Sequence, residues 1–171
     1  DEMMNKIKVS NDDDTIWDIL WVNRPHMCKE PIHFLNNLKK LFDVYGKYET
    51  LMICPISKGG EFVDIPKKIN EIFSEEDKKF ISVLVPFTKG PMGIDNKFVS
   101  PFYHWSRVFA FYSSIEGESR VVHEALCGGC PVVHYSGVKG GSNDYLDEKN
   151  SYAFRSEEHT SELQSPDHLV C

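Results

Sequence analysis

The stretch from Arg107 to Tyr135 limits the fold of this chain more than any other. Arg107-Val108-Phe109-Ala110-Phe111-Tyr112 is a short apolar run rich in β-branched and aromatic residues, the signature of a buried strand. Val121, Val122, Ala125 and Leu126 then fall on one helical face, and Gly128-Gly129 supplies a C-terminal stop. Pro131-Val132-Val133-His134-Tyr135 reads as the next strand. Strand, turn, helix, turn, strand is a βαβ unit, which calls for a parallel sheet. With 171 residues there is enough chain for one α/β domain with a full core.

The chemistry of this unit lies in its first turn, Glu116-Gly117-Glu118-Ser119-Arg120. A glycine where a strand gives way to a helix lets backbone amides approach a ligand, and the helix N-terminus favours an anion. Glu116 and Glu124 bracket the turn with seven residues between them. Glu116 is expected in the loop over the ligand and Glu124 roughly two turns into the helix, so that each can reach a different hydroxyl of one molecule. A lone pair of glutamates at this spacing is most often solvated charge. Here it comes with Gly117, Gly129, Pro131 and a strand on each side, in order. Upstream, Arg24 and Lys29 leave the end of another expected strand, where open α/β sheets bind ligands. Two cations aimed at one point would neutralise a diphosphate.

The remaining elements follow from pattern. Residues 1–15, with Asp12-Asp13-Asp14, read as a polar lead-in. Ile16 to Val22 is the first strand. Pro31 opens a helix carrying Ile32, Leu35, Leu38, Leu41 and Phe42, stopped by Gly46. Thr50 to Cys54 is a second strand. A helix from Ile65-Pro66 carries Ile69, Ile72 and Phe73 and ends before Ser74. Phe80 to Val85 is a third strand, followed by a loop from Pro86 to Lys97 containing Gly90, Pro91 and Gly93, and a short helix from Phe98 to Trp105. Past the central unit, Asp147-Glu148-Lys149-Asn150 reads as a tight turn before Tyr152-Ala153-Phe154.

A net charge of −7 with no basic stripe argues against nucleic acid as a partner. No run of about 18 apolar residues and no signal-peptide pattern is present, so no stable membrane insertion of this segment is expected. The expected location is cytoplasmic, the cytosolic face of a membrane included. Five cysteines without secretory context suit free thiols. His123, Cys127, Cys130 and His134 have a metal-like spacing. Cys127 and Cys130 follow a helix C-terminus, however, whereas a reactive thiol pair belongs at an N-terminus. No metal is expected.

The two glutamates, then Ala125, then Gly129-Cys130-Pro131-Val132-Val133, resemble the donor-sugar half of retaining glycosyltransferases with the two-domain glycosyltransferase-B fold, the group 1 or family 4 class. The resemblance covers residues 16–154. It implies a Rossmann-like parallel sheet with helices on both faces, one half of the complete fold, and transfer of a sugar from a nucleoside-diphosphate sugar with retention of configuration. Members commonly carry an Arg, four residues and a Lys, matched by Arg24 and Lys29, which would hold the diphosphate together with Gly117, Ser119 and Arg120. Glu116 would be catalytic, against the transferred sugar, and Glu124 would hold the nucleotide ribose. The base would pack near Val85, Pro86 and Phe87. Gly140-Gly141 and Asp144 resemble a family turn in which Glu stands at the Asp position. No cofactor or metal is implied beyond the nucleotide sugar itself. The acceptor domain would be missing, and a start at Asp1 suits a fragment truncated at both ends and inactive alone. One departure concerns Glu118-Ser119, where many relatives have Phe-Gly. An extra carboxylate beside a diphosphate is awkward, so either Glu118 points to solvent or the substrate differs.

Residues 155–171 are polar, lack hydrophobic periodicity and resemble a translated sequencing adapter, which sets them outside the domain as a non-native tail. Two rival readings come from other classes. A non-catalytic flavodoxin-like binding module would show no affinity for nucleoside diphosphates. A sugar-nucleotide epimerase of the same architecture would convert free nucleotide sugar. Deleting residues 155–171 is expected to leave the melting temperature and ligand affinity unchanged; a fall of several degrees would show that the tail packs on the domain.

Overall fold

The computed structural model describes residues 15–88 and 94–154. All but Thr15 of the expected lead-in, the Gly90-Pro91-Gly93 part of the long loop, and the expected tail lie outside the described residues. Strand β1 (Trp17–Val22) leads through a 3-10 turn (Met27–Lys29) into helix α1 (Pro31–Tyr45), with Pro31 in its first turn and Gly46 at its end. Strand β2 (Thr50–Ile53) and the two-residue β3 (Ile56–Ser57) precede α2 (Ile65–Ile72) and α3 (Glu75–Lys78). Strands β4 (Ile81–Leu84) and β5 (Phe87–Thr88) precede α4 (Asn96–His104). The central unit is β6 (Ser106–Phe111), α5 (Arg120–Cys127) and β7 (Val132–Tyr135). A 3-10 turn (Gly141–Asp144) and β8 (Ser151–Phe154) complete the described chain.

Six strands form one sheet in the order β4-β2-β1-β6-β7-β8, and every pairing is parallel. Alternation along the strands divides the core by face. Leu20, Val22, Leu51, Ile53, Phe109 and Phe111 pack with Val99 and Tyr103 of α4 and Val122 and Ala125 of α5. Trp21, Met52, Cys54 and Ala110 pack with Phe34, Leu35 and Leu38 of α1 and Ile65 and Ile69 of α2. The sheet is therefore covered on both faces, as a parallel sheet requires. The chain moves outward from β1 to β2 and β4, then returns to the other side of β1 for β6, β7 and β8. Strand order thus reverses between β1 and β6, and the loops leaving their C-terminal ends open a crevice there.

Three departures from the sequence expectations have local causes. Ser74 does not merely follow a helix: its hydroxyl accepts the Asp77 amide while the Asp77 carboxylate accepts the Ser74 amide, a capping box that starts α3. Helix α4 begins before Phe98 because the Asp95 carboxylate caps it, accepting the Lys97 amide at 2.9 Å. After β2 and β4 the chain adds a small parallel ladder, β3 with β5, too short to carry a periodic signal.

A second cavity of about 390 Å³, mostly apolar, opens between α1 and the β6 to β8 side of the sheet, with Phe34, Leu38, Tyr45, Tyr112 and Phe154 among its walls. Among the described residues no helix is long and apolar enough to cross a membrane.

Candidate functional site

The loop after β1 places two cations at the crevice. Asn23 continues the ladder by donating its amide to the Ile53 carbonyl, and the chain then folds into the 3-10 turn that ends at Lys29. Glu30 takes a left-handed conformation, φ 51°, which redirects the chain into α1 within one residue. The loop is fastened to its neighbour: the Cys28 carbonyl accepts the Ser114 amide at 3.3 Å, with the Ser113 hydroxyl also at 3.3 Å.

The loop after β6 is braced from its other side by the segment after β7. Glu116 donates its amide to the Lys139 carbonyl at 2.9 Å, and Lys139 donates its own to the Ser114 carbonyl at 3.2 Å. Gly140 lies at φ 130°, and a Cβ there would overlap the Glu116 carbonyl. A Cβ on Gly141 would stand 3.0 Å from the Gly117 carbonyl. The turn that resembled a family feature in the sequence is thus the floor under Glu116. Tyr145 adds a third brace, since its hydroxyl accepts the Ser119 amide at 3.2 Å and lies 3.4 Å from the Ser119 carbonyl.

These loops and the first turns of α5 enclose a cavity of about 370 Å³. Arg24, Lys29, Glu116, Glu118, Ser119, Arg120 and Glu124 all line it, against an apolar wall that includes Val22, Pro55, Ile94, Val99 and Val121. Gly117 lies in the turn but does not line the cavity. The charges are largely matched. Lys29 forms an ion pair with Glu116, both side chains about four-fifths buried. Glu118 is 77% exposed, with His123 Nδ1 3.8 Å away, so the carboxylate that looked awkward beside a diphosphate stands at the solvent rim.

Glu124 is the buried member of the set, its side chain 9% exposed. Its Oε2 accepts from the Tyr103 hydroxyl at 3.4 Å. Arg120 Nε lies 3.1 Å from Oε1, close enough to pair the charges, yet the geometry is not that of a hydrogen bond and this buried oxygen accepts none. Oε1 therefore has an ion-pair partner but still lacks a hydrogen-bond donor, which a bound molecule could supply.

Several expectations need correction. Glu124 stands just over one turn into α5 rather than two, because Gly117, Glu118 and Ser119 remain in the turn and the helix starts at Arg120. The Ser119 amide is already engaged by Tyr145, so it is not open to a phosphate in this arrangement. Val85, Pro86 and Phe87 are absent from the cavity wall: the chain past β4 turns away to pair β5 with β3, leaving Phe87 66% exposed. Pro55, Ile94 and Val99 belong to the apolar side of the cavity instead. Tyr103, Tyr145 and the apolar wall went unmarked in the sequence. As for the thiols, Cys127 is exposed while Cys130 is buried, and burial pushes the Cys130 thiol up to about 12, opposite to a reactive thiolate. Among the described residues no group of three or more His, Cys, Asp or Glu is arranged to hold a metal ion.

Neither a protein-family model nor a curated protein sequence matches the chain. Solved structures do share its fold. The pneumococcal O-GlcNAc transferase GtfA, solved with UDP and GlcNAc, matches 94% of this chain with a TM-score of 0.64 at 15% identity, over 27% of its own length. Sucrose-phosphate synthase from Thermosynechococcus elongatus matches 82% of the chain, TM-score 0.63 at 14% identity, over 33% of its length. TarM matches 91%, TM-score 0.62 at 14% identity, over 28% of its length. The chain therefore resembles one domain of the glycosyltransferase-B enzymes and spans about a third or less of these three relatives.

The glycine contacts give contrasting expectations. Gly140→Ala forces a Cβ into the Glu116 carbonyl at a backbone angle suited to glycine, so a loss of about 2–4 kcal/mol is expected in denaturant unfolding. Gly117→Ala meets open space and is expected to unfold like wild type. Equal stability of the two variants would contradict the brace.

Proposed function

We propose that the chain is the donor-binding domain of a glycosyltransferase that moves a sugar from a nucleoside-diphosphate sugar to an acceptor with retention of configuration. One observation carries this reading: the cations from the β1 loop and the glutamates from the β6 loop and α5, far apart in sequence, line one cavity where strand order reverses. The fold shared with glycosyltransferases supports it.

In this reading Arg24 and Lys29 hold the diphosphate, with Arg120 and the start of α5 adding positive potential. Glu116 faces the transferred sugar and Glu124 the ribose. The bond between the anomeric carbon and the diphosphate oxygen breaks with its electron pair going to that oxygen, where the two cations stabilise the charge. The Glu116 carboxylate stabilises the positive charge that grows on the carbon. The acceptor hydroxyl adds to the same face and gives its proton to the departing diphosphate. These cations serve as the counter-charge without a metal, and the acceptor site belongs to a second domain outside this sequence. Because Lys29 is paired with Glu116, an incoming diphosphate shares or displaces that carboxylate.

Arg24→Ala and Lys29→Ala are each expected to weaken nucleoside-diphosphate binding roughly ten- to hundredfold, from about 1.5–3 kcal/mol per charge-assisted contact, with little effect on the uncharged nucleoside. Glu116→Gln is expected to leave the plain diphosphate bound at least as tightly and to penalise the nucleotide sugar. Calorimetry on the three variants decides it. Equal losses for nucleoside and diphosphate would remove Arg24 and Lys29 from the phosphates, and an unchanged affinity for the nucleotide sugar would remove Glu116 from the sugar.

A further inference from the structure

Tyr103 belongs to α4, on a different element from every charged group of the cavity, and its side chain is 1% exposed. It lies along α5. At one end, a Cβ on Gly128 would stand 2.9 Å from the Tyr103 Cβ. At the other, the Tyr103 hydroxyl donates to Glu124 Oε2 at 3.4 Å. Gly128, which caps α5, follows Glu124 by four residues, so the tyrosine side chain spans about one turn of that helix. The missing side chain at Gly128 is what lets the ring lie so close. Phe109 meets the same ring edge to face, with centroids 5.5 Å apart, and fixes its rotation. Burial, with the Glu124 carboxylate beside it, pushes the Tyr103 hydroxyl well above the usual phenol range, so it remains a donor.

The consequence for Glu124 is an asymmetric carboxylate. Oε2 is held by a rigid aromatic donor, while Oε1 is buried, close to Arg120 and without a hydrogen bond. A glutamate on a helix otherwise samples several rotamers. We propose that Tyr103 is a positioning residue for the nucleotide: it holds Glu124 through Oε2 so that Oε1, covered by Arg120 in this structure, meets a ribose hydroxyl when Arg120 moves to the diphosphate. Tyr103 has this role only if the cavity takes a nucleotide, the reading proposed above.

The test is calorimetric titration of the full chain with UDP, GDP and ADP, each beside its 2′,3′-dideoxy form, on wild type, Tyr103→Phe, Glu124→Gln and the double variant. Wild type is expected to prefer the ribose form of its best ligand about tenfold, the scale of one hydrogen bond to a charged group. Tyr103→Phe is expected to cut that preference to about two- to threefold while leaving the dideoxy form bound nearly as before. The double variant is expected to show no less preference than Glu124→Gln alone, because the two residues act through one contact. Tyr103→Met, which fills the space without a ring or hydroxyl, carries the same expectation should the Phe variant not fold. If Tyr103→Phe lowers the melting temperature and weakens both forms equally, Tyr103 is merely structural and the proposal falls. If wild type binds a diphosphate but does not distinguish ribose from dideoxyribose, the Glu124 assignment itself fails. If no diphosphate binds, the nucleotide reading fails and takes the proposal with it.

Discussion

Everything at the site depends on β1 being paired in parallel on both sides, with β2 and with β6. Its successor elements run to one side of the sheet, and those of β6 to the other. The loops after the two strands therefore diverge and leave a crevice instead of crossing over it. Leu20, Val22, Phe109 and Phe111, fully or nearly fully buried on one face, hold the two strand ends in register. The Cys28 carbonyl, taking the Ser114 amide, ties the loops together just beyond them. This pairing brings the strand ends that carry the cations and the carboxylates together, and the loop contacts then fix them in place.

Within the crevice, opposite charges are matched before any ligand is considered. Lys29 pairs with Glu116 and Arg120 stands beside Glu124. This matters because an unpaired buried charge is strongly destabilising, so a cavity built to meet both a diphosphate and sugar hydroxyls keeps its charges paired with each other. The rigidity comes from uncharged groups. Gly140 sits under the Glu116 carbonyl, Tyr145 grips the Ser119 backbone, and Tyr103 reaches Glu124 from another helix. Glu118, held by none of these, stands at the rim.

The sequence made some of this legible and hid the rest for physical reasons. The βαβ unit was readable because Val108 to Tyr112 is an unbroken apolar run and because Gly128 and Gly129 mark the helix end. Gly129, at φ 73°, is a left-handed residue of the kind that ends helices. Arg24, Lys29, Glu116 and Glu124 were readable because their spacings attach to strand ends and a helix start. Tyr103 was not: an aromatic on an amphipathic helix looks like core, and it is core, with one polar atom aimed elsewhere. Tyr145 was hidden for the same reason, since its partner is a backbone group distant in sequence. Val85, Pro86 and Phe87 lie outside the cavity wall, where the chain after β4 enters the β3 and β5 pairing, which has only two residues on each side. Nothing so short has a period to read.

The central claim is that this crevice, and not another surface, receives a nucleoside diphosphate. Backbone amide shifts in nuclear magnetic resonance, recorded while UDP, GDP or ADP is added, test it most directly. At least one diphosphate is expected to move amides of Asn23 to Lys29 and Glu116 to Glu124 together, and to leave those of Leu38, Tyr45 and Phe154 around the second cavity in place. Shifts confined to the second cavity, or none at millimolar concentrations of all three ligands, would contradict the account.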